Sequence, residues 1–512
     1  MISFYLFADA IATVACLALI YQYLSRKSYL PFPPGPPRLP IIGNAFDIPE
    51  DYAWKQYAKW SEKYGDVISL QVFGQTIVII NSHSALRDIV LKRSATFTGR
   101  PYHKFSEMTG LLGSNIVMTN GNEWRERRRI IENSLKPVAM QMYRHSQTCK
   151  ILKLLKRVLS RPDEIFDHTR EYTGAFVLDI AYGYDVQDSE DRFVKDNEEF
   201  INLFTRTILP GALIVNTLPI LGRLPPKMLG QEFADLVERV GRLWKQVVHE
   251  PYKWVKEGML TDEDVDKEQV LVDGLGNTYF GSSMHFALAS LIFIFVNRLF
   301  AAAIDTTTSA SMTFILCMVL NPHVQAKAHE ELDRVIGRER MPSFYDRPNL
   351  PYIGAVYMEI LRWDLTAPLG IQHTPDKDVV CGGFYIPKGA SVIGNAWAIL
   401  HDPVRYPEPD VFRPERHLSS EGRIIDDPYL EYAFGYGTRK CPGRHFADAT
   451  IWLYIVTVLT FFEIRMEKDA RGMEIPINVK FETRGTVRGP LPFPCTLVPR
   501  DREALERIFQ QS

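Results

Sequence analysis

One cysteine stands out for its surroundings, in the stretch Phe434-Gly-Tyr-Gly-Thr-Arg-Lys-Cys441-Pro-Gly443, with an apolar run from Ile451 to Phe462 after it. That order places Cys441 in a loop that opens a helix. The free amides and positive dipole end of a helix start favour an anionic sulfur, and Gly435, Gly437 and Gly443 let backbone N–H groups approach it without a Cβ in the way. An anionic, sheltered sulfur suits a metal. A lone cysteine is more often a small buried hydrophobe, so the pattern around it has to decide. A second group is Phe300-Ala-Ala-Ala-Ile-Asp305-Thr306-Thr307, an acid beside a hydroxyl in an apolar helix. A buried carboxylate is costly unless paired or functional, and the plain alternative is a threonine bonded back to its own helix beside a salt-bridged Asp.

Three further groups could carry charge into a core. Trp124 and Arg128 are four apart, hence on one helical face, and a guanidinium fork there suits a carboxylate. Glu359 and Arg362 are three apart on a helix led by Tyr352 to Met358; such a pair is worth under about 1 kcal/mol when exposed. Phe412-Arg-Pro-Glu-Arg416-His417 follows, and His373 stands alone between them. Each, taken singly, is a weak signal.

Together they are not weak. Phe434, Gly437, Arg439, Cys441 and Gly443 fit Phe-x-x-Gly-x-Arg-x-Cys-x-Gly, which resembles the heme-binding loop of the cytochrome P-450 family, in the style of its membrane-bound fungal members. The resemblance implies heme b (iron protoporphyrin IX), with Cys441 the axial thiolate of the iron, Arg439 a propionate partner and Phe434 a ring packed near the sulfur. It makes Trp124 and Arg128 contacts of one propionate and His373, where many relatives carry arginine, a contact of the other. It assigns Asp305 and Thr306 to proton delivery, with Ala303 at the usual glycine position. Glu359, Arg362 and Arg416 match the Glu-x-x-Arg and Pro-Glu-Arg pair that locks the heme-side core. The implied fold is mostly α with a small β subregion, and the implied reaction is hydroxylation of a lipophilic small molecule, a terpenoid or other secondary metabolite, with O2. Electrons would come from NADPH through a separate NADPH-cytochrome P-450 reductase docking near Lys440 and Arg444. A thiolate-heme isomerase or dehydratase, or a heme-binding protein inactivated by residues 270–298, are the alternatives.

The elements that must position these groups read as follows. With 512 residues, 46% of them hydrophobic, the chain can bury a large core. A net charge of -2 gives no reason to expect nucleic acid, and six scattered cysteines fit neither a zinc site nor a secreted disulfide scaffold. Residues 1–25 are apolar enough for a single membrane anchor, and Arg26 and Lys27 on its C-terminal flank put the rest in the cytosol, at the endoplasmic reticulum by resemblance. Residues 26–44 are a proline-rich linker expected to be stiff and extended, and 45–512 the catalytic domain. Within it we expect a helix near Tyr52–Tyr64, strands Val67–Val72 and Thr76–Ile80, and a long loop from Thr98 to Met118. A mobile apolar lip is expected from Phe200 to Pro226, an acidic helix start at Thr261–Glu268, and strands between Cys381 and Ile393. Residues 270–298 are atypical, either an extension of the central helix or a translated intron. A last loop from Arg484 to Leu491 is expected to reach the pocket.

Overall fold

The computed structural model describes residues 30–113, 120–186, 188, 190–209, 211–261, 283–482 and 485–511. The anchor at 1–25, most of the acidic run after Thr261 and residues 270–282 lie outside them. The helices that matter below are α1 (Ala53–Tyr64), α2 (Lys104–Met108), α3 (Asn122–Ser134), α4 (Arg144–Ser160), α5 (Ile165–Tyr182), α6 (Arg192–Thr207) and α7 (Gln231–Thr261). They continue with α8 (Ser283–Leu320), α9 (Pro322–Val335), α10 (Pro351–Trp363), α11 (Arg444–Phe461) and α12 (Arg502–Gln511). The strands are β1 (Val67–Val72), β2 (Gln75–Ile80), β3 (Val379–Cys381), β4 (Phe384–Ile386), β5 (Ser391–Gly394), β6 (Phe462–Met466) and β7 (Cys495–Pro499). The fold is mostly α with a small β subregion, as expected.

The largest core forms where α11, apolar on every side, is surrounded by α4, α5, α9, α10 and the C-terminal half of α8. A helix hydrophobic all round belongs inside, and Ile455, Val456, Val458 and Leu459 are fully enclosed. The same reasoning explains Ala302–Leu320, apolar enough to cross a membrane but with 78% of its window buried within the protein. Residues 283–320 form one continuous helix, so the backbone of the apolar block 286–296 extends the central helix.

The β region is a three-stranded sheet in the order β1-β2-β5, with β1–β2 antiparallel and β2–β5 parallel. Its register sets Ile79 beside Ile393 and Ile80 beside Gly394, so residues far apart in sequence meet at one sheet edge. The linker is packed against that sheet. Ser69 N–H donates to the Pro34 carbonyl at 2.8 Å and Tyr385 N–H to the Pro31 carbonyl at 2.9 Å, while a Cβ at Gly35 would strike the Ser69 carbonyl.

Two expectations change. The segment from Thr98 onward is not a plain loop: it carries α2 and short 3-10 turns at Thr96–Thr98 and Leu111–Gly113. Phe105, fully buried, anchors it from within a sequence lacking helical periodicity. The lip from Phe200 to Pro226 is half core. Phe200, Phe204, Ile208 and Val215 are buried with Trp244 and Val248 of α7, because α6 turns one apolar stripe inward; among the described residues the exposed large apolar side chains here are Ile214, Ile220 and Leu224.

Candidate active site

The loop before α11 is shaped by Gly435 (φ 82°) and Gly437 (φ 62°), conformations that favour glycine. The Cys441 N–H donates to the Phe434 carbonyl at 2.7 Å, which closes the loop and leaves the half-buried thiol at the start of α11. Burial pushes the Cys441 thiol up, against weaker downward pulls from the Gly443 amide, Arg128 and Arg444. The helix start alone therefore does not make a thiolate. A bound metal would, because coordination deprotonates a thiol outright. A Cβ on Gly443 would stand 3.8 Å from the sulfur, so glycine keeps that side open.

Three guanidiniums gather beside this loop. Arg439, 8% exposed, donates through Nε to the Thr98 carbonyl at 2.8 Å and lies 3.8 Å over the Trp124 ring. Arg128 reaches from α3 to the Lys440 carbonyl and bonds Glu132 at 2.8 Å. Arg100 donates to the carbonyls of Ile371 and Gln372 at 3.0 and 2.6 Å. Burial first, then the neighbouring arginines, bring Arg439 down to about 9; burial, against a weaker upward pull from Tyr436, and Arg128 bring Arg100 down to about 10. Cations that depress one another in a buried place are suited to a dianion, and heme b carries two carboxylates. The residues present fit that group.

Arg100 was not visible in the sequence: a single arginine before Pro101 has no spacing cue. It lies close to His373. His373 is 5% exposed, its ring stacks on Tyr436 at 4.7 Å and its Nδ1 pairs with the Phe97 carbonyl at 2.7 Å. A carbonyl only accepts, so Nδ1 carries the proton. Burial foremost, with Arg100 and Arg439 nearby, holds the ring down at about 3 and hence neutral. Nε2 is then the accepting nitrogen of the ring, close to Arg100 and Arg439.

On α8, Asp305 presents a shielded Oδ2 with no hydrogen-bond partner. Its carboxyl is pushed up to about 7, by burial first and Glu198 second, with Arg170 pulling the other way. Arg170 of α5 and Glu198 of α6 form a 3.0 Å pair, each side chain about one-third exposed. Thr306 Oγ1 donates to the Ala302 carbonyl at 2.8 Å, the ordinary back-bond that Ser and Thr make in helices. Its hydroxyl oxygen keeps its accepting capacity. Ala303 packs against Phe176 and its neighbours, partly buried.

On the other side, Glu359 and Arg362 are both fully buried. Arg362 forks onto the carboxylate at 2.8 and 2.9 Å and also donates to the carbonyls of Leu400 and Pro409. Arg416 adds a 3.0 Å bond, the Arg413 amide one of 2.9 Å, and His417 Nε2 one of 2.9 Å. His417 and the amide were not anticipated. Against the cost of burial, these partners hold Glu359 down at about 2. The loop near the C-terminus, described from residue 485, is strapped on two sides: Ser309 bonds the Arg488 carbonyl, Thr486 donates to the Thr205 carbonyl at 3.2 Å, and Arg488 pairs with buried Asp364. Arg484 lies outside the described residues.

The family model described as cytochrome P-450 matches residues 33–487. Cytochrome P-450 monooxygenase 208 of Postia placenta is 34% identical over 505 residues, covering 98% of this chain and 97% of the relative. A cytochrome P-450 monooxygenase of Armillaria gallica is 33% identical, covering 98% and 99%, and monooxygenase ple1 of Rhodocybe pseudopiperita is 33% identical, covering 97% and 95%.

Proposed function

This chain belongs to the cytochrome P-450 family, and from that premise we propose that Cys441 would hold the heme iron through its thiolate and that Asp305 and Thr306 would deliver protons. As a member it is a monooxygenase, an oxidoreductase that binds heme b and takes O2, a small-molecule substrate and electrons from a redox partner. Bound heme supplies the oxygen activation, favoured by an electron-rich sulfur ligand. Arg439, Arg128 and Arg100 would hold its two propionates, the Trp124 ring lies against the Arg439 guanidinium, and the loop that carries Phe434 and Gly443 would shape the sulfur's surroundings.

The single observation that carries the distal assignment is the unpartnered Asp305 Oδ2 at a carboxyl poised near 7. A group whose proton is held about as loosely as tightly at neutral pH is matched to proton transfer. It takes a proton from the side of the Arg170–Glu198 pair, which is part-exposed, and passes it toward the Thr306 hydroxyl, whose oxygen accepts and whose own proton rests on the Ala302 carbonyl. Glu359, Arg362 and Arg416 do no chemistry; they hold the segment leading to the heme loop.

The finer reading is a substrate that is lipophilic, of the terpenoid or secondary-metabolite kind, and electrons from an endoplasmic-reticulum NADPH-cytochrome P-450 reductase docking near Lys440 and Arg444. An exposed apolar patch supports the anchored placement. Ile41, Phe46, Ile214 and Ile220 are exposed, and their two segments adjoin, since Gln75 Nε2 bonds the carbonyl of Asn216 at 3.0 Å and Gly211 packs toward Ile48. The test is the carbon-monoxide difference spectrum of the reduced, membrane-expressed protein beside Cys441→Ser. A red-shifted thiolate-type Soret band, lost in the variant, is expected. A band of the histidine or neutral-thiol type in the natural protein would overturn the assignment of Cys441.

A further inference from the structure

A small cavity of about 20 Å³, room for one water-sized group, opens where α2, the end of α6, the residues around Gly370 and the loop near the C-terminus meet. Its wall is apolar at Ile208, Leu209 and Ile393 and polar at Arg100, His103 and Thr486. Most of the polar wall is already spoken for. Arg100 donates to two carbonyls, Thr486 to the Thr205 carbonyl, and the neighbouring Gln372 amide bonds the Ile208 carbonyl while accepting from Ser391. His103 differs. It is 8% exposed and its Nδ1 is shielded from solvent with no hydrogen-bond partner.

Buried polar side chains are nearly always bonded, and an exception calls for a reason. Local structure gives none. His103 precedes α2, but the first free amide there, Phe105 N–H, is taken by Asn216 Oδ1 at 2.9 Å, and the His103 contribution to the turn is its backbone carbonyl, which accepts from Glu107 N–H. The imidazole is thus placed at the cavity and left unused. Burial foremost, with Arg100 adding to it, holds the ring down at about 4, so at neutral pH it is uncharged and offers one donor and one acceptor, the complement of a hydroxyl.

We propose that His103 and this cavity form a subsite for one oxygen function of the substrate, a hydroxyl or keto group, so that the enzyme acts on a lipophile that has already been oxygenated once. The inference rests on the monooxygenase reading above. It places the reaction after a step that installs a first oxygen on a hydrocarbon skeleton, with His103 choosing the substrate and orienting a remote C–H for the second.

The test uses matched pairs of a cyclic hydrocarbon and its mono-alcohol, trans-decalin with trans-2-decalol and cedrane with cedrol, titrated into the heme-loaded protein and followed by the substrate-induced shift of the Soret band. A single hydrogen bond predicts roughly tenfold tighter binding of the alcohol. His103→Phe should abolish that preference while leaving hydrocarbon binding within about twofold, and His103→Gln, which keeps a donor and an acceptor, should restore part of it. If no alcohol outcompetes its parent hydrocarbon in the natural protein, or if the preference survives in His103→Phe, the subsite is wrong. The thiolate-type carbon-monoxide band, read on the same samples, separates this failure from failure of the heme assignment.

Discussion

Two buried carboxylates in this protein share one chemistry and live in opposite surroundings. Glu359 meets two guanidiniums, an imidazole and a backbone amide, whereas Asp305, on α8, has an oxygen that meets nothing. Saturation fixes a charge and makes it useful only as structure. An unsaturated acid is expensive to keep and is left in place where something else is to bind or a proton is to pass.

The comparison breaks most decisively at Glu359. Glu359→Ala leaves Arg362 buried and uncompensated, a loss on the order of 3–5 kcal/mol, so denaturant melts should show a protein folded poorly or not at all, with little heme retained. Asp305→Asn should behave in reverse. Removing an orphaned acid leaves the thermal midpoint unchanged or higher, while turnover with a reductase and NADPH falls by about 10²–10⁴. A fall in the melting point as large as that of the Glu359 variant would erase the distinction.

The pH dependence sharpens it, because the signs differ. Glu359, held at about 2 and below its usual 4.5, stabilises the fold above that value, and the contribution fades as pH falls toward 2. Asp305, raised from 3.8 to about 7, keeps its proton in the fold where the unfolded chain has lost it, so stability declines as pH rises from about 4 to 7. Melting profiles of Glu359→Gln and Asp305→Asn should lose these slopes separately, one in the acid range and one nearer neutrality.

The smallest effect concerns the propionate side. His373→Phe keeps the stack on Tyr436 and forfeits one hydrogen bond to the Phe97 carbonyl, about 1 kcal/mol, with heme content unchanged. Arg100→Met should instead weaken heme retention, read as faster heme loss to an apo-acceptor protein. Equal heme loss in both would give His373 a share in holding a propionate.

What the sequence disclosed follows from distance along the chain. The loop around Cys441, the Glu359–Arg362 pair and the Asp305–Thr306 pair are local patterns, and each lies on a loop or helix where the sequence pattern puts it. Arg100 and His417 act through partners brought near by the fold, over 271 residues in the case of Arg100 and Ile371, and nothing in their immediate neighbours announces it. The lip differs from its expectation for a related reason: Phe200 stacks on Phe204 at 5.5 Å and also faces Trp244, which belongs to another helix. Composition around prolines reports that a chain turns, and only the opposing surface tells which side is covered.

The linker's attachment has a mechanical consequence. Its carbonyls are bonded at Pro31 to β4 and at Pro34 to β1, and Phe32 lies edge-on to Tyr385 at 5.6 Å. Any pull from the N-terminal side is therefore shared between two sheets before it reaches a helix, as a load is shared by two rivets.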